Sequence, residues 1–279
     1  MSEDEARGCA QAGLATLIRS SGNTDAAANI LNVNKPTPPC VIMSANAPPI
    51  IPYIHLLCME DSCSEAFTKA AKSYQLPASV QFELHRAALQ FVPDTAKFDL
   101  VVSPANSYGR LDGGFDDAIS RAFSPRGDYL ALTHVAQAKL YDEWCGFAPP
   151  GSCTLVRIPD EFRDRSKNVW GTRYIALCPT MRTPQEVEWD REVVYESIWS
   201  LLVAIDKHNR ARPEDRISSI LMTPLATGTG RVSPERWAHQ MFLAMKHFVD
   251  AKRHPDKWSK LENVEIFEYA NEVADTWTM

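Results

Sequence analysis

Two polar side chains that can act on a sugar or a phosphate stand ten positions apart in the middle of the chain. Asn106 has a side-chain amide that can both donate to and accept from sugar hydroxyls. Asp116 has a carboxylate that can take a proton from an attacking water. Gly113 and Gly114 stand just before Asp116 and allow a ligand to approach the backbone closely, because no Cβ is in the way. The pattern predicts a loop that orients a polar ligand.

Each of these side chains also has a structural interpretation. Asn106 can satisfy the hydrogen-bonding groups of its own turn. Asp116 can be a first-turn carboxylate that is stabilised by the dipole of the following helix. Tyr108 is either a solvent-side loop residue or a ring that covers the bound sugar. The sequence leaves these alternatives open.

A strand and a helix must hold this loop in place. Residues 98–102 are mostly apolar and rich in β-branched side chains, which is typical of a strand buried on both faces. Pro104 ends the strand, because proline cannot donate to a ladder. Residues 118–122 then show helical spacing. In open α/β sheets ligands bind beyond the carboxyl ends of the strands, and a helix N-terminus offers free N–H groups to an anion.

The run from 102 to 109, VSPANSYG, followed by GGFD at 113–116, resembles the first ligand loop of the macro domain, the ADP-ribose-binding family. It is most similar to the fungal stand-alone branch. The family has an asparagine at the strand–loop junction and an acidic residue ten positions later, and Asn106 and Asp116 hold this spacing. The family often has three or four consecutive glycines, whereas Asp112 here precedes only two. The resemblance therefore requires Asp112 to turn away from a bound diphosphate.

A second glycine-bearing loop follows a strand predicted at 217–222. Residues 225–230, LATGTG, resemble the second phosphate loop of the same family, which cradles the diphosphate with backbone N–H groups. Such a turn is by itself a common connector, and it gains meaning from its pairing with the first loop. Thr229 stands where the family often has a large side chain, so stacking at that point is lost or comes from elsewhere.

The alternation of strands and helices predicts an α/β fold with a mixed, largely parallel sheet between helices. The resemblance makes this a macro domain-like three-layer α/β/α sandwich. It implies ADP-ribose or an ADP-ribosylated substrate as the ligand, with Asp61 taking the adenine contact. The alternative for Asp61 and its neighbours is an ordinary helix N-cap. The predicted ligand-binding residues lie on the loops and strand ends: Asp61, Ser103, Ala105, Ser107, Tyr108, Gly113, Gly114, Phe115, Ala226, Thr227, Gly228, Thr229, Gly230 and Tyr269.

Two functions of different classes follow from the resemblance. The first is a hydrolase that removes a 1″-phosphate or a protein side-chain ester from the terminal ribose, with Asn106 and Asp116 as its catalytic residues. The second is a non-catalytic module that binds ADP-ribose without turnover. The hydrolase is favoured because the asparagine and the aspartate occur together. No serine nucleophile elbow, HExxH motif or Walker lysine is present to suggest another hydrolytic mechanism.

The composition limits which partners and which cellular location can be expected. The chain has 279 residues and a net charge of −6, without a long basic run, so a nucleic-acid partner is not expected. No apolar run reaches roughly 18 residues, and the first residues are acidic, so neither a membrane span nor a signal peptide is predicted. We expect a soluble monomer in the cytoplasm or the nucleus.

The cysteines and histidines do not suggest a metal. Seven scattered cysteines without a CxxC pair favour reduced thiols over a disulfide framework or a zinc site. Cys58 and Cys178 lie in apolar runs and are predicted to be core residues. His55 and His85 lie in predicted strands, and we expect satisfied core or surface residues there rather than ligands. No cofactor is predicted.

The chain divides into an extension at 1–50 and a macro domain-like part at 51–279. The extension contains a helix-like piece at 10–19 and proline-rich sequence, and it is partly irregular. Strands are predicted at 53–58, 80–85, 98–102, 151–158, 173–178, 217–222 and 264–269. Helices are predicted at 64–74, 87–91, 118–122, 129–144, 187–206 and 234–248, and a charged run at 161–167 is expected to be a solvated face or loop.

Overall fold

A six-stranded sheet forms the centre of the molecule. The structure is a computed structural model that describes residues 48–279, so the helix predicted at 10–19 and most of the extension lie outside the described residues. The strand order is β2-β1-β6-β3-β5-β4, and every neighbouring pair is parallel except β4 with β5. The strands are β1 (Tyr53–Leu57), β2 (Phe82–His85), β3 (Leu100–Ser103), β4 (Thr154–Arg157), β5 (Tyr174–Leu177) and β6 (Ser219–Met222).

Seven α-helices accompany this sheet in the described part of the chain, together with three short 3-10 turns. None of these helices is both long enough and apolar enough to cross a membrane. The helices are α1 (Asp61–Ser73), α2 (Gly114–Phe123), α3 (Ala131–Trp144), α4 (Val193–Ala211), α5 (Pro234–Arg253), α6 (Pro255–Trp258) and α7 (Asn263–Ala274), and the 3-10 turns are Leu89–Phe91, Asp160–Arg165 and Pro213–Asp215.

Alternate residues of the buried strands enter two hydrophobic cores, one on each face of the sheet. On β3, Leu100 and Val102 pack into the core that contains α1, α4 and α5, whereas Val101 packs into the core that contains α2 and α3. All three side chains are buried, as the continuous apolar run predicts for a strand covered on both faces. The predicted three-layer α/β/α sandwich with a mixed, largely parallel sheet is confirmed.

Several local predictions are also confirmed. The apolar stripe of α4 is buried, and so are Cys58 and Cys178. Ser233 caps α5, because its hydroxyl oxygen accepts a hydrogen bond from the N–H of Arg236 at 3.1 Å, and Pro234 occupies the first helical position. The charged run at 161–167 falls largely on the 3-10 turn Asp160–Arg165, which has no buried residue.

Two element predictions are wrong. The strand predicted at 264–269 is the first half of α7, where the alternation of Val264 and Ile266 with glutamates resembles a strand. A capping box stabilises the helix there, because the Glu262 and Glu265 side chains each accept from the other's backbone N–H. The helix predicted at 187–206 begins only at Val193, and Val187 instead donates its N–H to the carbonyl of Gly230 at 2.9 Å.

Candidate functional site

Three neighbouring strands carry the predicted ligand loops to one edge of the sheet. β1, β6 and β3 are consecutive and parallel, so the segments that follow their carboxyl ends emerge side by side. With strands about 4.8 Å apart, the β6 and β3 loops are immediate neighbours. The structure therefore brings the first loop, 104–113, beside the second loop, 223–230. This edge is also where open α/β sheets bind ligands.

The first loop is braced by the chain that follows β5. Thr180 donates its N–H to the carbonyl of Ala105 at 3.1 Å, and Ser107 donates its N–H to the carbonyl of Met181 at 3.0 Å. Ala105, Ser107 and Thr180 are buried. These bonds extend the parallel pairing of β3 and β5 past the end of both strands, so the loop leaves the sheet on a fixed path.

The Asn106 amide is turned into its own loop. Its Nδ2 donates to the carbonyl of Arg110 at 2.8 Å, and its Oδ1 accepts the N–H groups of Tyr108 at 3.0 Å and Arg110 at 3.4 Å. This is the turn-satisfying interpretation of Asn106 that the sequence left open. One Nδ2 hydrogen remains for a ligand. In this conformation Asn106 shapes the loop more than it presents a sugar-binding group.

Asp116 lies in the first turn of α2 with its carboxyl buried. Only 6% of the residue is exposed, and Oδ1 accepts a 2.6 Å hydrogen bond from the hydroxyl of Ser103, which is itself fully buried. Burial raises the pKa of Asp116 to about 7, with the Ser103 hydrogen bond opposing the rise and the Asp112 charge adding to it. A carboxyl with this pKa can exchange a proton near neutral pH.

The turn that opens α2 leaves backbone donors without partners. Gly113 and Gly114 are exposed, and a Cβ built on either would meet no atom within 4 Å. Within residues 48–279, the N–H groups of Gly113, Gly114 and Phe115 have no acceptor. Such groups at the start of a helix attract an anion. Gly114 also has a φ of 54°, which favours glycine at this position.

The second loop shows the same feature over a longer stretch. Among the described residues, none of the N–H groups of residues 225–226 and 228–230 has an acceptor, whereas the carbonyls of Ala226 and Gly228 accept from Val232 and Arg231. Ala226 and Arg231 have φ values of 61° and 54°, which are uncommon for residues with a side chain. A turn that mixes right- and left-handed conformations concentrates N–H groups into a concave site for anions.

The glycines of the second loop have different roles. A Cβ on Gly228 would meet nothing within 4 Å, so this position faces open space. A Cβ on Gly230 would lie 2.6 Å from the carbonyl oxygen of Ala226 and 2.9 Å from a methyl of Val187. Gly230 is therefore required by the packing of the loop, whereas Gly228 is free to border a ligand.

The carboxylate of Asp112, which precedes the two glycines of the first loop, forms an ion pair within that loop. Arg110 donates from Nε to Oδ2 of Asp112 at 2.5 Å, and both side chains are exposed. Asp112 thus pairs with an arginine on its own loop, and its orientation relative to a bound diphosphate stays a prediction. The pairing reduces the negative charge that an anion would meet there.

Asp61 follows β1 at the same edge of the sheet. It begins α1, its side chain is 81% exposed, and Oδ1 pairs with the Arg86 guanidinium at 3.2 Å. Arg86 follows β2, so the pair joins the ends of two adjacent strands. The exposed position leaves Asp61 accessible, but its charge is partly satisfied by Arg86.

Two aromatic residues predicted to bind ligand are placed differently. Tyr108 is 48% exposed, and its ring packs edge-on against Phe147 at 5.6 Å between centroids. Tyr269 lies on α7, where its hydroxyl donates to Asp250 at 2.6 Å. Asp250 is on the last turns of α5, about 24 Å along the helix from Pro234 and the second loop. The structure does not bring Tyr269 to the loops, and the strand on which its ligand role depended is a helix.

Sequence reasoning missed the residues that brace the site. Thr180, Met181 and Val187 hold the two loops by backbone hydrogen bonds, which carry no side-chain signature. It also missed the conformations of Ala226 and Arg231, since neither residue type marks a positive φ. The one available signal was the dipeptide Pro179–Thr180, which ends a buried strand beside the first loop.

No family model matches the chain. Among solved structures, the chain is similar to a mutant macrodomain of Oceanobacillus iheyensis with ADPR, at 17% identity and a TM-score of 0.42, over 57% of this chain and 75% of that one. The macrodomain of the same organism with ADP gives 18% identity and 0.41, over 57% and 74%. A Trypanosoma brucei macrodomain gives 16% and 0.36, over 55% and 51%. At these values the similarity carries no argument about the ligand of this chain.

Proposed function

We propose that this chain binds ADP-ribose at the carboxyl edge of β6 and β3. The observation that carries the proposal is the set of backbone N–H groups without an acceptor, within residues 48–279, on two adjacent loops. They lie at 113–115 on the first loop and at 225–226 and 228–230 on the second. A diphosphate offers several oxygens close together, which suits donors that converge from two sides. The preference for ADP-ribose over other diphosphates rests on the resemblance of both loops to the macro domain pattern.

The charges of the site are compatible with an anionic ligand. The raised pKa of Asp116 keeps much of this carboxyl protonated at neutral pH, so it repels a phosphate less than an ordinary aspartate would. Arg110 balances Asp112. The N-terminal ends of α2 and α5 lie beside the two loops and add partial positive charge.

Calorimetric titration tests the proposal. ADP-ribose should give saturable heat, and AMP, which lacks the diphosphate, should bind far more weakly. Gly228→Val should abolish binding, because its side chain would occupy the open space beside the loop and the position has no positive φ to strain the fold. Ala78→Val is a matched control, because Ala78 is exposed in the loop before β2, at the opposite edge of the sheet.

Equal affinity for ADP-ribose and AMP, or no binding of either, would reject the proposal. Normal binding by Gly228→Val would also reject it, since the second loop would then be a connector.

Hydrolysis of the bound ligand is a second candidate function, favoured by the raised pKa of Asp116. A carboxyl that titrates near neutral pH can accept a proton from water attacking at the terminal ribose or its phosphate. The binding-only alternative treats Asp116 as a buried carboxyl that fastens α2 to β3 through Ser103. Both alternatives are consistent with ligand binding, so only turnover separates them.

Asp116→Asn should keep most ADP-ribose affinity and lower turnover roughly 10²–10⁴-fold if Asp116 is a general base. The substrates are ADP-ribose 1″-phosphate and a glutamate-linked ADP-ribosyl protein, with release of phosphate and of ADP-ribose as the readouts. If the unmodified protein releases neither product at saturating substrate, the chain is a binding module.

A further inference from the structure

Two histidines and a glutamate converge on β1 and β2, the two outermost strands on one side of the sheet, which carry neither loop. His55 is on β1, and Glu83 and His85 are on β2, the edge strand. His55 pairs with Glu83 and Leu57 pairs with His85 in the parallel register. Because side chains alternate along a strand and paired residues share a face, all three side chains stand on one face of the sheet. It is the face that Leu57 shares with α2 and α3.

The ligand atoms are spaced as they would be around one ion. His55 Nδ1 lies 3.0 Å from His85 Nε2 and 3.3 Å from a Glu83 carboxylate oxygen, and His85 Nε2 lies 3.7 Å from the other oxygen. A tetrahedral ion with bonds of about 2.0–2.1 Å separates its ligand atoms by about 3.3–3.4 Å. Taking one carboxylate oxygen of Glu83, the three side chains place their ligand atoms within 4.8 Å of one another, which is the scale of a single tetrahedral ion.

The surroundings of His55 hold it in the form that binds a metal. Its Nε2 lies 3.2 Å from the carbonyl of Lys97, and because a carbonyl only accepts, Nε2 carries the proton. The lone pair is then on Nδ1, which faces Glu83 and His85. Histidines that bind metals are commonly oriented by a hydrogen bond from the other ring nitrogen to a backbone carbonyl. His55 is buried, so its orientation is also fixed by packing.

The donor set selects the class of ion. Two imidazole nitrogens and one carboxylate suit Zn²⁺, whereas Mg²⁺ and Ca²⁺ prefer sites made of oxygen ligands. The Glu83 side chain is 48% exposed, so water can reach a fourth position. The hydroxyl of Tyr53 donates to the same carboxylate at 3.3 Å and supports its orientation.

We propose that His55, Glu83 and His85 bind one Zn²⁺ ion, with water completing the tetrahedron. The ion would cross-link β2 to β1. β2 has four residues and pairs with a single neighbour, so it gains the most from such a link. The alternative is a metal-free cluster in which His85 donates to His55 and Glu83 accepts from solvent.

Zinc binding to the full chain tests the proposal. Protein stripped with EDTA should take up one equivalent of Zn²⁺ in competition with a chromophoric chelator. Co²⁺ in place of Zn²⁺ should give visible d–d bands without a thiolate-to-metal charge-transfer band, since no cysteine belongs to the site. His85→Gln and Glu83→Gln should each lower Zn²⁺ affinity by at least about 10-fold, the usual loss for even a supporting residue.

His134→Gln is the matched control, because His134 is exposed on α3 and belongs to no such cluster. Zn²⁺ should raise the melting temperature of the native protein and of this control, and should raise that of His85→Gln by less at the same Zn²⁺ concentration. Glu83→Gln guards against a folding defect, because it replaces an exposed side chain with one of equal size. Absence of stoichiometric binding, a thiolate band, or unchanged affinity in both ligand variants would overturn the proposal.

Discussion

The carboxyl of Asp116 is held in surroundings that disfavour its charge. Burial, with the nearby charge of Asp112, outweighs the hydrogen bond from Ser103 that favours the ionised form, and the pKa rises to about 7. In the unfolded chain an aspartate ionises near pH 3.9. As pH rises from about 4 to 7, the unfolded state therefore loses this proton while the folded state keeps it. The contribution of Asp116 to stability falls over that window.

The pH dependence of stability is a direct check of this environment. Asp116 ionises at a lower pH in the unfolded chain than in the folded protein. Between pH 5 and pH 8 this difference should lower the free energy of unfolding by about 2–3 kcal/mol. Asp116→Asn cannot ionise, so relative to the native protein it should gain about that much over the same interval. Urea denaturation of both proteins at the two pH values measures the difference. If the difference in unfolding free energy between Asp116→Asn and the native protein is the same at pH 5 and pH 8, the raised pKa of Asp116 is contradicted.

Asn106 shows why a residue can be found from sequence while its role is not. An asparagine after a strand predicts a loop with a polar ligand or an asparagine that satisfies its own turn, and both uses require the same residue at the same place. The structure decides for the turn, because Oδ1 reaches the N–H groups of Tyr108 and Arg110. That outcome depends on the path of the backbone, which residue types alone do not determine.

Elements were predictable where one local signal dominated. β3 follows from an apolar β-branched run, and the start of α5 follows from Ser233, Pro234 and Glu235, whose types suit a cap and the first helical turn. α7 was mistaken because Val264 and Ile266 alternate with glutamates, while the capping box that favours a helix uses a less common N-cap residue, Glu262. Where strand and helix signals compete, hydrogen bonds at the helix end decide.

The N-cap residue Ser233 allows the contribution of the start of α5 to stability to be measured. Its hydroxyl oxygen accepts from the N–H of Arg236, and the hydroxyl donates to the carbonyl of Met279 at 2.9 Å. Ser233→Ala should lower the free energy of unfolding by about 1 kcal/mol. Ser233→Asp should recover much of this loss, since a carboxylate can cap but cannot donate to Met279. Chemical denaturation compares the three proteins, and equal losses in both variants would place the stabilising bond at Met279 instead.

At the scale of the whole molecule, the position of the site was predictable but its bracing was not. Parallel strands bring their carboxyl ends to one edge, so the two glycine loops could be expected together. The contacts of Val187 and Met181 with those loops join segments far apart in sequence, and no local pattern encodes them. The division into an extension at 1–50 and a domain at 51–279 stays a prediction.

The place of β6 in the sheet has a consequence for the order in which the protein can be assembled in the cell. β6 lies between β1 and β3, and Ile54 on β1 pairs with Ile220 on β6. Until the ribosome has made β6, the strands synthesised earlier form two separate groups, each with an unpaired edge. Contacts between such distant segments slow folding and leave strand edges exposed to association with other chains. Nascent chains that stop short of Met222 should therefore depend most on chaperones, and they cannot yet form the ligand site.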